Sequence, residues 1–197
     1  MRHIEAGTVR IDGEAVPRSP RPARDMGMAY IPEDREKDGL VGVYPVADNL
    51  VLTSYHLSPY AQRGVRDFGA VAERAEMLVE RYDVRTPSIT TPVQSLSGGN
   101  KQKVIVAREL SEEKRVVIAS QPTRGVDVGS IEFIHNQLID ARDRGAAVLL
   151  VSAELDEIFG LADRIAVIYE GRIVAELDPA TATREEVGLH MAGGGQH

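Results

Sequence analysis

The octapeptide Leu96-Ser97-Gly98-Gly99-Asn100-Lys101-Gln102-Lys103 constrains this chain more than any other stretch. Its adjacent glycines lack the Cβ atoms that keep a backbone away from a bound group. From residue 101 to 110 the sequence reads as an amphipathic helix, with Val104, Ile105, Ala107 and Leu110 able to line one side. A Ser-Gly-Gly turn opening a helix aims a hydroxyl, free backbone N–H groups and the positive helix end at one point. That is an anion site, most naturally for phosphate. Gly-Gly alone would read as a connecting loop; the whole octapeptide is far more specific.

The rest of the chain sets what can carry such a turn. Its 197 residues suit one domain with a real core. A net charge of −7 argues against nucleic acid as a partner, since phosphate backbones call for basic surface. Cysteine is absent, which rules out disulfides and thiolate metal sites. No apolar run approaches the roughly 20 residues of a spanning helix, so any membrane role is expected to run through a partner. The five histidines, His3, His56, His135, His190 and His197, show no metal-ligand spacing and read as surface or structural residues. The closing run Gly193-Gly194-Gly195-Gln196-His197 reads as a frayed end.

Along the chain, residues 8–11 and 14–16 read as a hairpin around Asp12-Gly13, 17–24 as a loop or short helix, and 28–31 as a buried strand. A helical stretch is expected over 46–58, then a polar loop through Pro59, Gln62 and Gly64. Residues 68–82 give the clearest amphipathic helix, with Phe68, Val71, Ala72, Ala75, Leu78, Val79 and Tyr82 as core contacts. Beyond residue 110, strand and helix alternate. The run 116–119 reads as a strand buried on both faces. Ser130 can cap a helix that Gly145 ends, with Ile131, Ile134, Leu138 and Ile139 inward. Residues 147–151 form the next buried strand, 154–161 a short helix, and 164–169 another strand. Glu170-Gly171 turns the chain into 172–177, and Thr183 with Glu186 makes a capping box for a last helix. This alternation implies a parallel α/β sheet. The expected division is an α/β core from residues 1–41 and 111–197, with 42–110 as an inserted helical lobe.

The octapeptide closely resembles the signature motif of ATP-binding cassette (ABC) ATPases, in the Asn-bearing form of sugar and nucleoside importers. The resemblance continues through Tyr30-Ile31-Pro32-Glu33-Asp34-Arg35, Asp48-Asn49-Leu50 and the nine residues from Gln121 to Gly129. Residues 131–135 and 150–158 extend it over nearly the whole chain, and these two look particularly like the nucleoside-importer branch. It is closest to the second, C-terminal half of the tandem-cassette ATPases that energise simple-sugar and nucleoside import. Such a resemblance implies a P-loop NTPase of ABC type, a RecA-like parallel sheet core plus the helical signature subdomain. ATP and Mg2+ are the implied cofactors. The implied partners are a second cassette, transmembrane permease subunits gripped by the Glu33 loop and the helical lobe, and indirectly a solute-binding protein. The implied location is the cytoplasmic face of the cell membrane, held peripherally. No Gly-x-x-x-x-Gly-Lys-Ser/Thr run occurs in the chain. In the family that Walker A loop lies upstream of the region matching residues 8–11. The chain is therefore expected to be an N-terminally truncated cassette that binds ATP very weakly by itself.

The resemblance assigns roles residue by residue. Ser97, Gly98 and Gly99 would cap the γ-phosphate of ATP held by the opposite cassette, stabilising charge with preorganised donors. Asn100 completes that nucleotide-binding set, and Asp127 stands at the D-loop, where a carboxylate links the two cassettes. On the chain's own side the pattern is degenerate. Ser120 takes the place of the metal-shell Asp and brings no charge. Gln121 takes the place of the catalytic Glu; it can orient water but cannot accept its proton. Ala153 aligns with the switch histidine, and Glu33 replaces the Q-loop Gln, as a carboxylate suited to magnesium. The leading expectation is an import ATPase subunit that lends its signature to a partner's ATP. A noncatalytic cassette that only stabilises the dimer stays open as the second reading.

Overall fold

The computed structural model describes residues 6–194. The chain divides into two compact units, Met1–Val151 and Ser152–His197. In the first unit, β1 (Arg10–Ile11) and β2 (Glu14–Ala15) pair antiparallel. Asp12 and Gly13 between them are both at positive φ, the two-residue turn that suits the strands' twist. Pro20 opens α1 (Pro20–Asp25), where its missing N–H costs nothing. β3 (Met28–Ile31), β6 (Val116–Ser120) and β7 (Ala147–Val151) form a parallel three-stranded sheet in the order β3-β6-β7, with Met28 opposite Val116 and Val116 opposite Ala147.

Between β3 and β6 lie a π-helical turn Arg35–Gly39, α2 (Val46–Leu50), a small hairpin of β4 (Ala61–Gln62) and β5 (Val65–Arg66), α3 (Phe68–Arg81), a 3-10 turn Val93–Ser95 and α4 (Gly98–Leu110). α5 (Val128–Asp143) joins β6 to β7. α4 is the axle of this unit, packed against α2, α5 and β3. Every residue from Gln102 to Leu110 is buried, so the expected amphipathic helix is instead enclosed on all sides. Its polar residues are satisfied internally. Glu109, fully buried, receives both guanidinium nitrogens of Arg24 at 2.9 and 3.1 Å, Arg108 Nε at 2.9 Å and the Tyr30 N–H at 3.3 Å. Burial alone would raise the Glu109 pKa, but Arg108 and Arg24 outweigh it and hold the carboxyl below its ordinary range. Arg108 also donates to the carbonyls of Gly39 and Asn49 at 2.9 and 3.3 Å. Lys103 bonds the Asp83 carbonyl and carboxylate at the end of α3.

Several expectations are corrected. The helix from 46 stops at Leu50 rather than 58, because Asn49 turns its amide to the carbonyls of Val41, Tyr44 and Pro45 instead of continuing a helical face. The polar loop beyond it contains the β4–β5 hairpin, whose turn puts both Arg63 and Gly64 at positive φ. Phe68 is 70% exposed and lies under the Arg66 guanidinium, 5.1 Å from the ring centre, while Val71, Ala75, Leu78 and Tyr82 face the core. β6 buries Val117 and Ala119 but leaves Val116, Ile118 and Ser120 half-exposed, so only one face is fully covered. β7 is an edge strand with Leu149 56% and Val151 46% exposed, not a buried one. The cap of α5 is Asp127, which accepts from the Ser130 N–H, and Ser130 sits inside the first turn. Gly145, at φ +98, does end that helix.

The second unit holds α6 (Leu155–Leu161), β8 (Ile165–Tyr169), β9 (Arg172–Leu177) and α7 (Arg184–Met191) around Ile165, Val167 and Val187. β8 pairs antiparallel with β9. Glu170 and Gly171 between them both take positive φ and fold the chain straight back. Both halves of the Thr183–Glu186 capping box are present. Of the tail expected to fray, Gly193 and Gly194 instead close α7, donating to the carbonyls of His190 and Leu189 at 3.1 and 2.9 Å. Residues 195–197, with His197, and His3 lie outside the described residues. Among the described residues, no helix is long and apolar enough to cross a membrane.

Candidate functional site

Ser97 has an extended backbone and caps α4. Its Oγ accepts from the Asn100 N–H at 3.3 Å and from Asn100 Nδ2 at 2.9 Å. With the oxygen accepting twice, the hydroxyl proton is left to donate outward. Gly98 and Gly99 are the first two helical residues, whose N–H groups have no partner within the helix. Asn100 Oδ1 accepts from the Arg85 N–H at 2.7 Å, tying the helix start to the loop after α3.

Sterics leave no room for a side chain at Gly99 and little at Gly98. A Cβ on Gly99 would stand 2.3 Å from Ser130 Oγ and 2.4 Å from Asp127 Oδ2. On Gly98 it would stand 3.0 Å from the Gly125 carbonyl and 3.0 Å from Arg35 Nη2. α4 therefore begins directly against the turn that follows β6. Asp127 accepts from the Ser130 N–H at 3.0 Å and its hydroxyl at 2.8 Å. Those two bonds, the hydroxyl first, hold its carboxyl below the usual range. The helix start is thus framed by a cation, Arg35 beside Gly98, and an anion, Asp127 beside Gly99.

The loop after β3 closes on the same point. Arg35 donates from Nη1 to the Arg124 carbonyl at 2.6 Å and from Nη2 to the Gly125 carbonyl at 3.0 Å. Arg124 in turn pairs with the Glu33 carboxylate. Lys101 Nζ, on the first turn of α4, reaches Glu36 Oε1 at 2.7 Å. Glu33, Ser97, Gly98, Gly99, Asn100 and Asp127 are therefore brought together. Arg35, Lys101 and Arg124 join them without having been assigned a role from sequence, and Ser130, expected as the cap of α5, joins them from inside its first turn. The Asp-x-x-Ser spacing of 127 and 130 is a capping pattern that marks Asp127 as the cap; nothing in the sequence foretells the two carbonyls that Arg35 finds.

Ser120 ends β6, half-exposed, at the carboxyl edge of the sheet, where open α/β sheets place ligands. Gln121 follows at φ +48, a left-handed conformation that strains a non-glycine residue, and donates its N–H to the Val151 carbonyl at 2.7 Å. Ala153, two residues past β7, belongs to the second unit and is exposed. These side chains do not fit a magnesium ion. The Glu33 carboxylate is spent on Arg124, Ser120 and Gln121 are uncharged, and no metal-holding group of three or more His, Cys, Asp or Glu occurs among the described residues. The amino end of α4, by contrast, fits a phosphate oxygen.

A parallel sheet joined to helices, one of them opening on Ser-Gly-Gly, defines the class as an ABC-type nucleotide-binding cassette. The family model described as ABC transporter matches residues 1–124, and the chain belongs to that family. The guanosine import ATP-binding protein NupO of Bacillus subtilis is 47% identical over 197 residues, covering 100% of this chain and 39% of that protein. The nucleoside import ATP-binding protein NupA of Lactococcus lactis subsp. cremoris is 43% identical, covering 98% and 38%. The glucose import ATP-binding protein TsgD13 of Haloferax volcanii is 42% identical, covering 99% and 36%. The chain thus spans under two-fifths of the length of these relatives. Among solved structures, the dimeric MJ0796 bacterial ABC transporter cassette matches with a TM-score of 0.71 at 20% identity, covering 89% of this chain and 74% of that chain. An ATP-binding subunit of an ABC transporter matches at 0.73 and 19%, covering 95% and 77%. The fold is that of the ABC cassette.

Proposed function

We propose that this chain is the ATP-binding part of an importer for a simple sugar or nucleoside and lends its signature to ATP bound on a partner cassette. Ser97 donates its hydroxyl, and Gly98 and Gly99 their N–H groups, to the γ-phosphate. The observation that carries this reading is the double acceptance by Ser97 Oγ, which frees its proton beside two N–H groups that open a helix. The names of the relatives, which are import ATP-binding proteins, support the transport role. Ser120, Gln121 and Ala153 supply neither carboxylate nor imidazole, so hydrolysis falls mainly to the partner, and magnesium accompanies the ATP there. In this reading the chain belongs to the second cassette of a tandem pair, held at the cytoplasmic face of the membrane. The lobe 42–110 and the Glu33 loop face the permease, residues 1–41 and 111–197 form the core, and a solute-binding protein delivers the cargo.

Comparison of two variants in the assembled transporter tests it. Ser97→Ala lowers ATP hydrolysis about 100-fold, as loss of a preorganised donor does. Gln121→Ala costs only a few-fold. Equal losses from the two would overturn the division of labour, and no loss from either would leave a dimer-stabilising, noncatalytic cassette as the better reading.

A further inference from the structure

We propose that Arg35 is a positioning residue for the phosphate-facing end of α4, locking the loop after β3 to the Arg124–Gly125 turn and thereby fixing where Gly98 and Gly99 stand. The inference rests on the function proposed above for the site. Its physical basis is a closed ring of contacts. Two successive carbonyls, of Arg124 and Gly125, converge on the two arms of one guanidinium at 2.6 and 3.0 Å, at a turn where Gly125 has φ +64. A planar fork can bridge both; the single ammonium of lysine cannot hold them in the same plane. Gly98 packs onto this junction, since its Cβ position lies 3.0 Å from both Arg35 Nη2 and the Gly125 carbonyl. The ring closes on either side of Arg35 in sequence: Glu33 takes the Arg124 side chain, and Glu36 takes Lys101 from the first turn of α4.

The consequence is mechanical. The loop after β3, which faces the permease in the proposed function, is held to the donors that face phosphate through one side chain. Because Arg35 spends its two arms on backbone carbonyls, its contribution is placement, and its charge beside Gly98 is secondary. Misplacing a donor by an ångström is enough to cost about 100-fold in rate.

Arg35→Lys and Arg35→Gln separate the two roles. Placement predicts that both lower kcat for ATP about tenfold or more in the assembled transporter, with KM changed less than about threefold. It also predicts faster amide hydrogen exchange at Lys101, whose N–H bonds the Ser97 carbonyl, and at Arg124 and Val126 in the adjoining turn, in both variants, measured without nucleotide. Gly98→Ala is expected to be less damaging in the Arg35→Gln background than alone, because part of the space its methyl needs is vacated. Wild-type kcat in Arg35→Lys, with loss only in Arg35→Gln, would overturn the proposal in favour of charge. Unchanged exchange in both variants would overturn it as well. Ser97→Ala serves as the separate control: if it leaves hydrolysis untouched, the proposed function fails, and the exchange measurement alone then decides whether Arg35 positions α4.

Discussion

In the proposed function the amino end of α4 and the carboxyl end of β6 both lie at phosphate, and they differ in what they offer it. The α4 end offers donors, a cap hydroxyl with its proton free and two helix-opening N–H groups, within packing that leaves no room for a side chain at Gly99. Behind it the helix is enclosed and pinned by Glu109 to Arg24 and by Arg108 to the carbonyls of Gly39 and Asn49. The β6 end has a defined shape but no charged side chain at Ser120 or Gln121. Gln121 still holds a strained left-handed turn, yet neither it nor Ser120 can take a proton or balance a cation. The turn needs no charged side chain for its shape, because it is held by the backbone bond from the Gln121 N–H to the Val151 carbonyl.

The largest expected effect strikes the α4 end. Gly99→Ala drives a methyl into Ser130 and Asp127 and displaces the helix start, lowering ATP hydrolysis by the assembled transporter by about 100-fold or more. Hydrolysis within a few-fold of wild type would erase the contrast between the two ends. Next comes the anchoring. Glu109→Ala leaves Arg108 buried without its carboxylate, and chemical denaturation is expected to show a loss of about 3–5 kcal/mol. A loss under about 1 kcal/mol would mean that α4 is not held from behind by this network.

Acid should act more gently and in a defined direction. The folded-state pKa values of Asp127, Asp83 and Glu109 lie below their ordinary values, so the unfolded chain binds protons more readily. Their stabilisation is complete above the unfolded pKa, about 4, and is lost as pH falls through the lower folded values. Denaturant midpoints should therefore drop as pH falls below about 4, and Asp127→Asn should flatten part of that slope. An unaltered slope would separate the Asp127 cap from the stability of the α4 end. The smallest effect belongs to β6. Gln121→Glu restores a single carboxylate and is expected to leave hydrolysis unchanged, since Ser120 and Ala153 remain without charge or imidazole. A clear gain in rate would show that this end lacks only one group and is closer to a working site than its partner-facing counterpart implies.

Much of the fold was legible because its signals are local. The capping box at Thr183, the stop at Gly145, the hairpin at Asp12-Gly13 and the helix through residues 68–81 all depend on neighbours within a few positions. The errors fall where distant partners decide. The enclosure of α4 needs α2, α5 and β3 at once, and the exposure of Leu149 and Val151 follows from their lying on the same, less covered face of the sheet as Ile118 and Ser120. Neither is written in periodicity.

By itself the sequence determined the chemistry available: a Ser-Gly-Gly helix start able to hold phosphate, and a β6 end whose Ser120 and Gln121 carry no carboxylate. Tertiary structure alone decided which groups meet. Arg35 and Gly125 are 90 positions apart and Gly99 and Asp127 are separated by 28, yet they pack at one point. Contacts of that kind depend on the sheet and α4 being assembled first, and no pattern read along the chain encodes the distance between two loops.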